Sequence, residues 1–260
     1  MESLLDALFA QPYLLALAFL LGSVLLLVGL LIFWGRGKHR ARFRPLPAFS
    51  KLEDHLKRAA EAGKSIHIAL GNGGVYQRDG ILSLAGLQAL DAVVDAAVAY
   101  QAPPIITVGD PTLLPIAQDI LRRAYERRKL ADQYDPSRVR FVAPDPIAYA
   151  GGAGYNVTSE DVIANVAIGS YGAEIALIAD AGTGAGVPQL AGAADPSAIA
   201  GLYPSTDQVA MGEEMFAAGA QISGDRKYLA SLIAQDVLRI LLVVLILLVT
   251  GIAVLGSLGM

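Results

Sequence analysis

SIHIALGNGG, at residues 65–74, is the stretch that decides the fold. Six mostly apolar residues lead into a glycine-rich loop, and a long amphipathic run follows at residues 82–100. Short apolar runs that alternate with helical runs of ten or more residues are typical of right-handed β-α-β crossovers and of a mainly parallel sheet. The stretch therefore predicts the first strand, the first loop and the first crossover helix of an α/β domain.

The same alternation continues on both sides of this stretch. It predicts an α/β fold with a Rossmann-like, mainly parallel, doubly wound sheet in one domain over residues 51–225. A short turn is expected at residues 146–149. The predicted strands are 65–70, 104–109, 139–143, 174–179, 188–192 and 208–211, and the predicted helices are 51–63, 82–100, 111–129, one beginning near 159, and 213–220.

Two apolar stretches near the ends of the chain explain its hydrophobic content of 54 % over 260 residues. Residues 13–34 carry no charge, and a helix of that length spans a hydrocarbon core of about 30 Å. A signal peptide is disfavoured because its leader would be basic, whereas this leader contains Glu2 and Asp6. The second stretch predicts a helix over residues 226–258 whose membrane part is about 237–258.

Basic residues flank both apolar stretches on the side of the central domain. By the positive-inside rule they predict a two-pass protein of the cell (inner) membrane whose central domain is cytoplasmic. Residues 1–12 and the C-terminus then lie outside, and residues 35–50 form a basic linker. The flanking basic residues are Arg36, Lys38, Arg40, Arg42 and Arg44 after the first stretch and Arg239 at the second.

Glycine and aspartate recur after the predicted strands, where ligands bind in open parallel sheets. One interpretation is a site in which glycine amides bind an anion and carboxylates hold a ribose or a metal. The other is structural, because an aspartate followed by proline caps the start of a helix, as expected for Asp110-Pro111, Asp145-Pro146 and Asp195-Pro196. The candidate ligand-binding residues are Gly71, Asn72, Gly73, Gly74, Asp110, Asp145, Asp180, Gly182 and Gly184.

The motifs of common enzyme classes are absent or incomplete. The loop at 71–76 has Tyr76 where a dinucleotide fingerprint requires its third glycine, so no cofactor is assigned. His39, His55 and His67 lack metal-ligand spacing, and His67 is expected to be a packed, hydrogen-bonded residue of the first strand. The sequence predicts no catalytic residue and no metal site, and a net charge of −4 argues against a nucleic-acid partner.

Four long runs carry a resemblance to a known family: residues 109–128, 139–152, 211–224 and 229–239. They are similar to a bacterial membrane-protein family known only as a domain of unknown function, seen in thermophilic filamentous phototrophs. The resemblance implies two transmembrane helices flanking a Rossmann-like cytoplasmic domain. It supplies no activity, cofactor or catalytic residue.

Three functions follow from these patterns. The favoured one is a membrane-anchored, non-enzymatic scaffold that self-associates at the cytoplasmic face, with the lipid bilayer, copies of itself and other membrane proteins as partners. The second is a sensor or enzyme that binds a nucleotide-like anion at the carboxyl edge of the sheet. The third is an accessory subunit of a larger membrane complex.

Overall fold

The computed structural model describes residues 12–36, 46–206, 208–224 and 226–257. The contacts divide the chain into an α/β unit, Phe43–Gly224, and a helical unit formed by Met1–Arg42 and Asp225–Met260. Lys38, Arg40, Arg42 and Arg44 of the predicted basic flank lie outside the described residues.

Strands and helices alternate along the α/β unit, as the sequence predicts. The described strands are β1 (Ser65–Gly71), β2 (Pro104–Val108), β3 (Val139–Phe141), β4 (Val162–Ser170), β5 (Gln189–Ala193) and β6 (Val209–Met211). In chain order, α1 (Pro12–Arg36) belongs to the helical unit, and α2 (Leu52–Ala62), α3 (Gly80–Ala99), α4 (Leu113–Arg127), α5 (Pro146–Ser159), α6 (Ile175–Gly184), α7 (Pro196–Leu202) and α8 (Glu213–Ser223) belong to the α/β unit. Finally, α9 (Arg226–Ser257) returns to the helical unit.

All neighbouring strands of the described sheet are parallel, in the order β3-β2-β1-β4-β5-β6. This order is that of a Rossmann sheet, in which the winding direction reverses between β1 and β4. The predicted α/β class with a parallel sheet flanked by helices is confirmed.

Helices cover both faces of the sheet and bury two apolar cores. On one face α2, α3, α4 and α8 pack on large side chains such as Ile68, Ile106 and Ile168. On the other face α5, α6 and α7 pack on alanines such as Ala69 and Ala167, whose small side chains admit closer helices. Among the described residues one helix, α3, is long and apolar enough to cross a membrane, and most of it is buried in the first core.

The predicted strand at 174–179 is wrong, because these residues begin helix α6. Its buried residues Ile175, Ile178, Ala179 and Gly182 follow the helical spacing of three and four rather than the alternation of a strand. Asp180, Gly182 and Gly184 therefore lie within a helix and not in a loop after a strand.

The fourth strand is instead β4, where a helix was expected to begin near residue 159. The prediction of a helix beginning near 159 is wrong: the helix in this part of the chain is α5, which ends at Ser159 and includes the residues 146–149 that were expected to form a turn. The apolar run of β4 is interrupted by the polar residue Asn165. A hydrophobicity pattern therefore does not identify this run as a strand. In the sheet Asn165 is fully buried beside His67 on β1, so its side chain is paired rather than exposed.

The helical unit consists of two long helices with apolar surfaces. α1 has 25 residues, and α9 runs unbroken for 32 residues. The two helices contact each other around a cavity of about 270 Å³ lined by Phe19, Gly22, Ser23 and Leu26 of α1 and by Leu238 and Leu241 of α9. Arg36 is the last residue of α1, and Arg239 is exposed on α9.

Candidate functional site

The predicted glycine loop lies where the winding of the sheet reverses. Gly71 ends β1 in the left-handed region, with φ of 82°, and the amide of Asn72 donates to the carbonyl oxygen of Ser170 at 3.2 Å. The amide of Gly109, after β2, donates to the carbonyl oxygen of Gly71 at 2.9 Å. The ends of β1, β2 and β4 are thus joined by backbone hydrogen bonds through this loop.

The glycines of the loop are packed against groups of the protein itself. A Cβ atom on Gly73 would lie 2.5 Å from the Cβ of Ser170, and one on Gly74 would lie 2.6 Å from the carboxyl carbon of Asp110. These glycines therefore allow the chain to approach Ser170 and Asp110 closely. A carboxylate beside the loop also repels a second anion there, which weakens the anion-binding interpretation of this edge.

The aspartates after the strands are engaged in local hydrogen bonds. Asp110 accepts from the amide of Thr112 at 2.8 Å, from the hydroxyl of Thr112 and from Nε2 of Gln77 at 3.0 Å. Asp145 caps α5 by accepting from the amide of Ala148 at 2.9 Å. Asp195 caps α7 in the same manner, so the structural interpretation is confirmed for Asp145 and Asp195. It is wrong for Asp110, because the N-cap of α4 is Thr112.

The fold brings only part of the predicted set together. The loop at 71–74 and Asp110 are in contact, and Asp145 lies at the same edge of the sheet after β3. Gly182 is buried against the side chain of Gln189, at the amino end of β5 and so toward the opposite edge. Asp180 is exposed on α6, and Gly184 ends this helix. Ligand binding by these residues stays a prediction.

Replacing Asp145 and Asp180 by alanine, one at a time, tests the capping role of Asp145. Asp145→Ala is expected to lower the free energy of unfolding by about 1 kcal/mol, because the first turn of α5 loses its cap. Asp180→Ala, at an exposed position within α6, is expected to change it by less than about 0.5 kcal/mol. Urea unfolding of the full-length protein in mild detergent measures both. Equal effects of the two changes would contradict the capping role of Asp145.

A row of buried polar side chains crosses the sheet next to the candidate site. His67 Nδ1 lies 2.7 Å from Oδ1 of Asn165, and its Nε2 lies 3.0 Å from the hydroxyl of Thr107. The amide group of Asn165 donates onward to Oε1 of Gln189 at 2.6 Å. Asn165 therefore presents its oxygen to His67, which places the imidazole proton on Nδ1 and leaves Nε2 as the acceptor.

Tyr149 connects this polar row to the glycine loop. Its hydroxyl accepts from the amide of Gly71 at 3.1 Å and donates to the carbonyl oxygen of Thr107 at 3.2 Å. Burial lowers the pKa of His67 to about 4 and raises the pKa of Tyr149, so both groups are neutral at pH 7. The predicted packed, hydrogen-bonded state of His67 is confirmed. Its partners escaped prediction because Thr107, Asn165 and Tyr149 stand on separate elements with no shared motif.

The described residues offer little to a metal ion. Within them, no group of three or more His, Asp and Glu side chains is arranged to hold one. His67 is enclosed by its two hydrogen-bond partners, and His55 lies on a separate element, α2.

These features define the class of the protein: an α/β protein with a parallel sheet in the Rossmann order and a packed glycine loop at the reversal point. A family model described as a domain of unknown function (DUF6754) matches residues 7–259, and the chain belongs to that family. Comparison with curated proteins and with solved structures finds no match.

Proposed function

We propose that the chain is a membrane-anchored, non-enzymatic module that self-associates at the cytoplasmic face and organises other components there. The proposal of a membrane anchor is supported chiefly by the surface of α9, where every side chain from Ile240 to Leu247 is exposed. Eight consecutive residues face all sides of a helix. An apolar surface of this extent favours hydrocarbon or other apolar helices as its surroundings.

The surface of α1 supports the same proposal. Its exposed side chains include Leu17, Leu21, Leu25 and Ile32, which follow the helical spacing of one face. The residues that line the cavity beside α9 lie on the other face. A pair of helices that contact each other and keep an apolar outer surface is suited to a bilayer, in which lipid covers the outer surface.

Topology is testable because the chain contains no cysteine, so one introduced thiol is labelled without background. In bacterial spheroplasts expressing Ser3→Cys, we expect a membrane-impermeant maleimide to label the protein directly. Gly184→Cys, at an open and exposed position, is expected to react only after permeabilisation. The reverse pattern would overturn the proposed orientation, and extraction of the protein by alkaline carbonate would overturn the anchor.

Self-association is supported by an apolar stripe on the α/β unit. Ile147, Gly151 and Tyr155 follow one another at a spacing of four on α5, and both large side chains are exposed. Exposed Leu177 lies on α6, whose backbone packs beside Gly154 of α5. Aromatic and aliphatic residues without charge are typical of the buried centre of an interface. We assign this stripe to contact with a second copy of the chain.

Light scattering of the full-length protein in mild detergent measures this contact. We expect an oligomer at micromolar concentration, and we expect Tyr155→Lys to raise its dissociation constant at least about tenfold, because the change places a charge in the interface. Tyr76→Lys, at another exposed tyrosine, is the matched control and is expected to leave the dissociation constant unchanged. A monomeric native protein, or equal effects of the two changes, would overturn this assignment.

A further inference from the structure

A second cavity lies at the opposite edge of the sheet from the glycine loop. It has a volume of about 660 Å³, which is in the range of small-molecule sites. The start of α2 forms one side through Lys51, Asp54, His55 and Arg58, and the segments before β5 and β6 form the other through Pro188, Thr206 and Gln208. Within the α/β unit it therefore lies at the amino ends of the strands.

Two buried polar atoms at this cavity have no partner. His55 is 6 % exposed and Thr206 is 7 % exposed, and both residues are among those that line the cavity. Within the described residues, Nδ1 of His55 and the hydroxyl of Thr206 form no hydrogen bond. Native proteins leave few such atoms unsatisfied, so each one calls for an explanation, and a bound water, ion or ligand supplies one.

The charges around these atoms favour an anion. Lys51, His55 and Arg58 are spaced by four and three residues, which places them along one face of α2. Lys51 and Arg58 form no ion pair with any described residue, so both cations are available. Asp54 is the one acidic side chain among the described residues that line the cavity. Burial, followed by the charge of Arg58, lowers the pKa of His55, as expected beside cations.

The start of α2, whose first amides can act as hydrogen-bond donors, lies at the same cavity. α2 has 11 residues, and Lys51 at its N-cap makes no capping hydrogen bond through its side chain. The first amides of an uncapped helix need acceptors, and the helix dipole favours negative charge there. Two cations, two residues with unpaired buried polar atoms and the start of α2 thus lie at one cavity.

We propose that this cavity binds a phosphate ester of a small hydroxylated molecule. The phosphate oxygens accept hydrogen bonds from Lys51, Arg58, Nδ1 of His55 and the first amides of α2. The hydroxyl of Thr206 donates to the same ligand, and the carboxylate of Asp54 accepts from a ligand hydroxyl. The proposal does not depend on the membrane anchor or on self-association, since every residue in it belongs to the α/β unit.

Calorimetric titration of the full-length protein in mild detergent with glycerol 3-phosphate tests the proposal. We expect saturable binding with a dissociation constant below about 1 mM, measured against sodium chloride of equal ionic strength. Arg58→Gln is expected to weaken binding at least about tenfold, since it removes a charged hydrogen bond. Arg78→Gln, which removes the same charge from the loop at the carboxyl edge, is expected to leave binding unchanged.

Thr206→Val separates a ligand contact from a structural role. The hydroxyl has no partner among the described residues, so its removal is expected to leave the melting temperature of the ligand-free protein unchanged or raised. Affinity for glycerol 3-phosphate is expected to fall about fivefold, because one ligand hydrogen bond is lost. Unchanged affinity in this variant would overturn the assignment of Thr206.

Two further results would overturn the site as a whole. One is the absence of saturable binding, and the other is equal weakening by Arg58→Gln and Arg78→Gln. A parallel titration with dihexanoyl phosphatidylglycerol, a soluble lipid whose headgroup carries a phosphodiester, identifies the source of the phosphate. Tighter binding of this lipid assigns the cavity to a lipid headgroup, and tighter binding of glycerol 3-phosphate assigns it to a free metabolite.

Discussion

Gly71→Ala is expected to lower the free energy of unfolding by about 3 kcal/mol, one of the two main effects that the structure predicts. Gly71 has a φ of 82°, a backbone conformation that disfavours any residue with a Cβ atom. An added Cβ would also clash with the carbonyl oxygen of Ser170. This oxygen belongs to the neighbouring central strand and cannot rotate away, so the strands β1 and β4 would have to separate.

The matched control is another change from glycine to alanine. Gly184 is exposed in the last turn of α6, and a Cβ there would meet nothing within 4 Å. Gly184→Ala is therefore expected to leave the free energy of unfolding unchanged or to raise it by up to about 1 kcal/mol, because alanine favours a helix. Urea unfolding of the full-length protein, followed by circular dichroism, measures both changes. A Gly71→Ala protein as stable as the native one would contradict the close approach of β1 and β4.

The second large effect is a loss of stability at acid pH that depends on His67. Burial lowers the pKa of His67 to about 4 from its ordinary value of 6.5, although its hydrogen bond with Asn165 acts in the opposite direction. The unfolded chain therefore takes up the proton first as the pH falls. The stabilisation is complete above pH 6.5 and is lost between pH 6.5 and pH 4, by about 3 kcal/mol in total.

His67→Gln isolates this contribution from those of other titrating groups. The variant is expected to be less stable at pH 7 by about 1–3 kcal/mol, because the hydrogen bonds to Asn165 and Thr107 are broken or distorted. Its free energy of unfolding is expected to fall less steeply than that of the native protein between pH 6.5 and pH 4. Parallel curves for the two proteins would show that His67 is not buried in its neutral form.

Much of the fold could be predicted because its signals are local. The run SIHIAL matches β1, and the run at residues 104–109 matches β2, since each is a short apolar segment next to a turn or helix signal. β4 and α6 could not be told apart in this way. The run EIALIA resembles a strand until its neighbours extend the pattern to Gly182, and the strand β4 contains a polar residue at its centre.

The candidate sites also differ in whether their residues are close together in the chain. Asp145 and Asp195 were recognisable as caps because each stands directly before a proline and the helix that it caps. The same dipeptide misled at Asp110, because α4 begins two residues later, with Thr112 at its N-cap. The amino-edge cavity was not recognisable, since its lining comes from residues 47–58, 188–190 and 205–208, which are far apart in the chain. Its unpaired polar atoms point to a binding site because they are buried, and the sequence does not show this burial.

The sequence by itself determined the alternation of strands and helices, the two apolar end segments and the capping aspartates. Each of these depends on residues that lie close together in the chain, where periodicity and backbone geometry act directly. Only the tertiary structure decided which apolar run became the fourth strand, which side chains pair with His67 and where a cavity with unpaired polar atoms lies. His67 and Asn165 are separated by 98 residues, and contacts over such distances depend on packing that no local pattern specifies.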